Sequence, residues 1–253
     1  MLPYFDRNEF YVGPLTIHVW GLFIALGIFG FLFMLRREAR ARHISFDALL
    51  DMTIWVLIAA FVGARLSHVF FYEPTYFLAH PTEIIAVWNG GLSSLGGIFV
   101  GTLTAIWYVV RHRLDITRVG DSICRALPAA WIIGRFGCYI THMHPGVHST
   151  AFFAVAYPDG GRIDLGLLES AVWLVIGILF WGLPRSPRRG MYITVICLLY
   201  APTRFAFDFF RASDTAMPDM RYGGFTPAQF GMAALFIFGI FLVFKFKFFK
   251  KTY

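Results

Sequence analysis

Four arginines, Arg65, Arg125, Arg135 and Arg204, lie within or at the ends of long apolar runs. An ionisable side chain at membrane depth is costly, and by default it marks a functional site with a partner that can be named. One acidic residue of the same kind is obvious. Asp208 follows Arg204 by four residues and can pair with it across one helical turn. Arg65, Arg125 and Arg135 have no such local partner, and the phosphate of an anionic lipid suits the planar guanidinium fork. Blander readings stand beside this one: Arg135 snorkels to the interface, Arg125 lies near a membrane face and meets water, and Arg65 pairs with Glu73 or Glu83. Arg135 and Arg204 are the strongest pair. Tyr200, Arg204, Asp208 and, a turn on, Arg211 form one polar stripe on an aromatic helix, which should face the interior.

Arg135 sits in Gly134-Arg135-Phe136-Gly137-Cys138-Tyr139-Ile140-Thr141-His142-Met143-His144-Pro145-Gly146-Val147-His148, which passes from an apolar run into a polar loop. The histidines could hold a metal, act as acid and base, or decorate a loop. No cysteine or carboxylate stands alongside to complete a metal set, so no metal is expected. A histidine exchanges protons near neutral pH and is the natural general base for a thiol or hydroxyl acceptor, which makes His142 and His144 the candidates. The glycines Gly90, Gly91, Gly96, Gly97 and Gly101 open another apolar run. They either let helices approach closely or form a helix start whose free N–H groups face an anion.

These residues need elements to hold them. Of 253 residues, 58% are hydrophobic, 19% aromatic and only 15% charged, against about a quarter charged in soluble domains. The expectation is an all-α, polytopic membrane bundle. The net charge of +7 does not indicate nucleic acid, because most of the Lys and Arg residues fall in four short clusters between or after apolar runs. That is the positive-inside pattern. The three cysteines lie in apolar context without metal or disulfide spacing, and the first residues do not read as a cleavable signal peptide.

Residues 1–14 are polar-aromatic and read as an interfacial segment, such as a short helix on the outer leaflet. Spans follow at about 15–35, 47–71, 91–110, 119–140, 165–183, 190–210 and 227–244, each near the ~20 residues that cross a bilayer. Basic clusters at 36–42, 111–113, 185–189 and 245–251 all fall on one side if there are seven spans with the amino terminus outside and the carboxyl terminus cytoplasmic. A single membrane domain over 1–253 results, with its longest extracytoplasmic loop at about 141–163.

Taken together, these motifs resemble the prolipoprotein diacylglyceryl transferases of bacterial inner membranes over nearly the whole chain. The matching pieces are Gly13-Pro14 with His18 and Gly21; Gly63-Ala64-Arg65; Trp88-Asn89-Gly90-Gly91 and Gly96-Gly97; Gly134-Arg135-Phe136-Gly137; Gly146; Leu168-Glu169; Tyr200 to Arg211; and Gly224-Phe225-Thr226 with Gln229. The resemblance implies a seven-span, multi-pass inner-membrane protein. It would transfer a diacylglyceryl group from phosphatidylglycerol to the lipobox cysteine thiol of a prolipoprotein signal peptide, releasing glycerol phosphate, with no cofactor. Arg135 and Arg204 match the arginines used on the phospholipid headgroup, and Gly146 a required loop glycine. Arg65, Gly90, Gly91, Gly96, Gly97, Tyr200 and Asp208 are carried as substrate-binding residues. The chain departs from the pattern where the family's histidine before the second Gly-Gly is Leu95, its first-span tyrosine is Trp20, and the asparagine after Gly-Arg-x-Gly is Cys138. The expectation is therefore that His142 or His144 takes the proton. The alternatives are a relative using another acceptor and a non-catalytic phospholipid-binding protein.

Overall fold

The computed structural model describes residues 1–5, 8–184, 188–214 and 221–246, with Asn89 and Ser94 described by backbone only. The basic clusters at 185–189 and 245–251 and the loop at 211–225 lie partly outside the described residues. The fold is mainly helical. In chain order it has β1 (Glu9–Val12), β2 (Leu15–His18), α1 (Val19–Ala41), α2 (Phe46–Phe71), α3 (Pro74–Ala79), α4 (Ser94–Arg111) and α5 (Ile116–Ile140). Then come β3 (Pro145–His148), β4 (Val155–Tyr157), β5 (Gly160–Asp164), α6 (Leu165–Gly182), α7 (Met191–Phe207) and α8 (Pro227–Lys245). Short 3-10 turns cover Pro81–Ile85, Val87–Asn89 and Asp208–Phe210. Among the described residues, five helices are long and apolar enough to cross a membrane: α1, α2, α6, α7 with its following turn, and α8. Helix α4 is apolar but shorter, and α5 carries Arg118, Asp121, Arg125 and Arg135 along its length.

The chain divides into two compact units, Met1–Arg42 with Gly120–Tyr253, and His43–Val119. In the second, α2 and α4 pack through glycines. A Cβ on Gly63 would fall 2.5 Å from Val100, and one on Gly96 2.7 Å from the Gly63 carbonyl. Gly63, Gly96, Gly97 and Gly101 thus let α2 and α4 approach closely. Ser45 and Ser93 cap α2 and α4 by accepting from Ala48 N–H and Gly96 N–H.

The first unit is centred on Trp173, Ile176 and Phe180 of α6 against Tyr192 and Ile196 of α7. Two small sheets correct the all-helical reading. Instead of a helix, the amino-terminal segment forms the antiparallel hairpin β1–β2, turned at Gly13, whose φ is 59°. Its register puts Phe10, Val12, Leu15 and Ile17 on one face and Glu9, Tyr11, Thr16 and His18 on the other, because strand side chains alternate. Helix α1 therefore begins at Val19 rather than near 15, and it runs on through Arg36, Arg37 and Arg40 to Ala41. The loop at 141–163 contains the antiparallel sheet β3-β5-β4, and Leu2 is hydrogen-bonded to β4 through Ala154 O and Ala156 N.

Candidate active site

Helices α5 and α6 touch where Gly166 meets the end of α5. A Cβ there would lie 2.8 Å from Tyr139 N and 3.1 Å from Arg135 O. That approach sets Glu169, three residues further along α6, against Arg135, with Nε to Oε2 at 2.9 Å. The same carboxylate takes Arg204 Nε at 3.2 Å on its other oxygen, and Tyr200 Oη donates to it at 3.4 Å. Arg204 also binds Asp208, as expected from the four-residue spacing. Asp208 also forms an ion pair with Arg211, Nε to Oδ1 2.9 Å, and accepts from the Thr226 hydroxyl. Thr226 and Gln229 form the capping box of α8, and Gln229 Nε2 donates to Phe205 O at 3.1 Å. The start of α8 is thereby tied to the carboxylate that holds Arg204.

The result is a cluster of three guanidinium groups and two carboxylates. Glu169, Arg204 and Asp208 are buried, whereas the side chains of Arg135 and Arg211 keep 22% and 21% of their exposure. Arg135 thus has a carboxylate partner that spacing did not reveal. Glu169 enters the sequence reading only through the Leu168-Glu169 resemblance and not as a partner for an arginine, although it stands alone among the apolar residues of α6, and an isolated acid in such a helix is itself a signal.

Two other arginines correct expectations. Arg125 does not meet water; it is 1% exposed. It pairs with Glu38 at 3.1 Å and donates to Leu183 O at 3.1 Å and to the Tyr192 hydroxyl. Arg65, in the second unit, pairs with neither the Glu73 nor the Glu83 carboxylate. Its N–H groups go to the backbone carbonyls of Ile84, Glu83, Ala86, Gly90 and Gly91, at 2.6–3.3 Å. A guanidinium has five N–H donors, and this one spends them on holding the turn in which Gly90 and Gly91 adopt φ of 84° and 74°.

His142 lies just past α5 with φ 49°, in the left-handed position that reverses the chain after a helix. Both ring nitrogens are engaged. Nε2 accepts from Phe5 N–H at 3.1 Å, and Nδ1 lies 2.9 Å from Asp164 Oδ2. With Nε2 accepting, the ring proton sits on Nδ1 and is donated to the carboxylate. Tyr4 stacks on the ring at a centroid distance of 4.2 Å, and Tyr157 Oη donates to Asp164 at 2.8 Å. Burial raises the Asp164 carboxyl, against the lowering effect of its His142 and Tyr157 hydrogen bonds. Burial, together with the charge of Asp164, raises the Tyr157 phenol. His144 is half-buried, and its carbonyl accepts from Leu165 N–H. Gly146 is sterically obligatory: a Cβ would lie 2.6 Å from Ile163 O and 2.7 Å from Phe210 O.

Residues 8–245 match the family described as prolipoprotein diacylglyceryl transferase. The chain is 30% identical over 249 residues to the phosphatidylglycerol–prolipoprotein diacylglyceryl transferase of Oleidesulfovibrio alaskensis, covering 95% of this chain and 93% of that protein. It is 31% identical over 244 residues to the protein of the same name from Chromohalobacter salexigens, covering 94% and 91%. For the one from Pseudomonas aeruginosa it is 29% over 248 residues, covering 95% and 93%.

Proposed function

Because the chain belongs to the prolipoprotein diacylglyceryl transferase family, we propose that Arg135 and Arg204, braced by Glu169 and Asp208, receive the phosphate of phosphatidylglycerol. The protein is a diacylglyceryl transferase of lipoprotein biogenesis, carried in a membrane by its apolar helices. Phosphatidylglycerol is its lipid substrate and a prolipoprotein its acceptor.

The observation that carries the phosphate assignment is access to the cluster. Arg135 and Arg204 converge on the two oxygens of the buried Glu169, and the Arg135 side chain keeps 22% of its exposure, so a guanidinium held in place by a carboxylate stays open to a phosphodiester anion. Guanidinium groups also suit the charge that grows on phosphate as it leaves.

In the proposed step the thiol sulfur of the lipobox cysteine attacks the terminal glyceryl carbon of the diacylglyceryl group. The S–C bond forms and the C–O bond to phosphate breaks. The electron pair departs with the phosphate oxygen, and glycerol phosphate is released. The thiol proton goes to a base, since the thiolate is the nucleophile. His142 and His144, on the loop after α5, are the candidates for that base. For His142 to accept at Nε2, the Phe5 N–H must first leave it. Tyr200 and Asp208 hold Glu169 and Arg204, and Gly146 lets the loop close on Ile163 and Phe210. In the second unit Arg65 maintains the Gly90–Gly91 turn, and Gly96 and Gly97 the α2–α4 seam, so these residues take a scaffold role in our reading.

The same reading has α1, α2, α4, α5, α6, α7 and α8 all crossing the bacterial inner membrane, with the amino terminus outside. The basic clusters at the carboxyl-terminal ends of α1 and α4 support it.

The test is a transfer assay with purified protein, phosphatidylglycerol and a lipobox peptide, read as a diacylglyceryl mass increment, with Arg135→Ala as control. Transfer that disappears in the control is expected. No transfer and no Arg135-dependent binding of phosphatidylglycerol overturns the headgroup assignment. Binding without transfer points to another acceptor. Unchanged transfer in His142→Ala, His144→Ala and the double variant would eliminate both as bases.

A further inference from the structure

The small sheet after α5 contains a second buried arginine site that the transfer chemistry does not call on directly. Arg162 of β5 is 4% exposed, and its guanidinium is gripped on three sides. Nε contacts both oxygens of Asp159 at 3.0 and 2.9 Å, and Nη2 reaches Asp159 Oδ2 at 2.5 Å. Nη1 and Nη2 take Asp214 Oδ1 and Oδ2 at 3.0 and 2.8 Å. Nη1 also donates to Gly146 O at 3.1 Å. His148 Nε2 approaches Asp214 at 3.4 Å.

These contacts join two stretches of chain that flank the arginine cluster. Gly146 forms an antiparallel bridge with Arg211, and Ala212 N–H donates to Pro145 O at 3.3 Å. Residues 211–212 are thus laid against the outer edge of β3, and three residues after Arg211 the side chain of Asp214 is clasped by Arg162. Arg211 Nε in turn binds the Asp208 carboxylate that holds Arg204. Only a planar fork can serve Asp214 in bidentate fashion while also reaching Asp159 and a carbonyl; a lysine offers one point charge on a flexible stem.

We propose that Arg162 is a positioning residue for phospholipid binding: by clasping Asp214 and the Gly146 carbonyl together, it fixes the 211–214 segment and hence the Arg211–Asp208–Arg204 side of the phosphate site. The inference rests on the headgroup reading of that cluster. The two carboxylates around Arg162 agree with a permanently charged clamp. Hydrogen bonds from Arg162 hold Asp214 down to about 2 and lower Asp159 as well.

The clamp has two arms, which gives the test its control. Asp214 links Arg162 to the segment leading back to the cluster, while Asp159 lies three residues before it on the turn into the same strand. Steady-state transfer is measured against phosphatidylglycerol concentration, in mixed micelles, for Arg162→Lys, Arg162→Gln, Asp214→Asn and Asp159→Asn. Arg162→Lys and Asp214→Asn should raise KM for phosphatidylglycerol about tenfold, the scale of one lost charge-assisted hydrogen bond, with kcat within about threefold. Asp159→Asn should leave KM within about twofold. A general weakening of the sheet would move both aspartate variants alike and would show in thermal stability rather than in KM alone.

If Arg162→Lys and Arg162→Gln remain folded and keep the wild-type KM, the positioning role is wrong. So it is if Asp159→Asn and Asp214→Asn raise KM equally. Arg135→Ala, run alongside, separates the two readings. If it abolishes transfer while the Arg162 variants are silent, only the positioning role falls. If Arg135→Ala transfers normally, the headgroup assignment itself has failed.

Discussion

Two of the buried arginine–carboxylate networks in the first unit, made of the same residue types, differ in access. One joins Arg125, Arg42, Glu38 and Asp121 with Tyr192. Arg125 pairs with Glu38 at 3.1 Å and Arg42 with Glu38 at 3.6 Å, while Asp121 accepts from the N–H groups of Gly190, Tyr192 and Ile193 at the start of α7. The side chains of Arg125 and Glu38 are 2% and 1% exposed. The other network sets Arg135, Arg204 and Arg211 against Glu169 and Asp208, with Arg135 still reachable. The sealed network fastens α1, α5 and α7. The network with an open side is, in our proposal, the one that receives an anion. Access separates a fastening from a binding site more reliably than the presence of buried arginine, which both share.

The largest expected effect breaks the sealed network. Arg125→Ala takes from the buried Glu38 the nearer of the two guanidinium groups paired with it, and loss of one partner of a buried pair costs about 3–5 kcal/mol of stability. It should appear as a collapse in thermal unfolding temperature in detergent and poor recovery of folded protein. Next comes the open network. Arg135→Ala should leave folding near wild type, because its side chain already reaches solvent, but lower transfer by about 10²–10³-fold, the scale of losing one donor to developing charge. Were Arg135→Ala instead to unfold the protein while Arg125→Ala stayed stable and inactive, the two networks would have to exchange roles.

A paired replacement sharpens the contrast with a smaller effect. Exchanging both partners of a buried ion pair for apolar residues of similar volume is often neutral or stabilising. Glu38→Met with Arg125→Leu should therefore recover most of the stability lost in Arg125→Ala and retain transfer. Glu169→Met with Arg204→Leu should give a folded protein without transfer. Unfolding temperature and the lipobox-peptide mass assay, run on both doubles, decide it.

The contrast between the networks was only partly legible in the sequence, for reasons that differ by residue. The long helices could be read because apolar runs bounded by arginines leave little choice of span. Arg204–Asp208 could be read because its partners are one turn apart. Arg135–Glu169 could not, since the pair spans two helices and local spacing says nothing about it. Glu38 was hidden among the arginines that mark the end of α1. Arg65 left no signal of its partners, because backbone carbonyls have no side-chain identity. His142 reads as a polar-loop histidine and candidate base, yet its Nε2 is filled by a backbone N–H from 137 residues away. The hairpin was missed although Phe10, Val12, Leu15 and Ile17 alternate as a half-buried ribbon should, because a short polar-aromatic stretch before a span also suits an interfacial helix.

The smallest expected effect concerns pH, and it tests whether the clamp that supports the open network is permanently charged. Arg162 lowers Asp214 to about 2, below the roughly 3.9 of an unfolded aspartate. Asp214 therefore contributes stability that is present above about pH 4 and is lost as pH falls through about 2. Asp164 has the opposite sign. Burial raises it, so the native state binds its proton more readily than the unfolded chain. Its contribution is fully present below about pH 3.9 and declines as pH rises through the folded value. Unfolding temperatures of the wild type, Asp214→Asn and Asp164→Asn should be compared from pH 3 to pH 7. The advantage of wild type over Asp214→Asn should hold steady from pH 7 to about pH 5 and shrink towards pH 3. Its advantage over Asp164→Asn should instead fall as pH rises. The same slope for both carboxylates would mean that Asp214 is not held by Arg162 in solution, and the open network would then lack the support assigned to it on its Arg211 side.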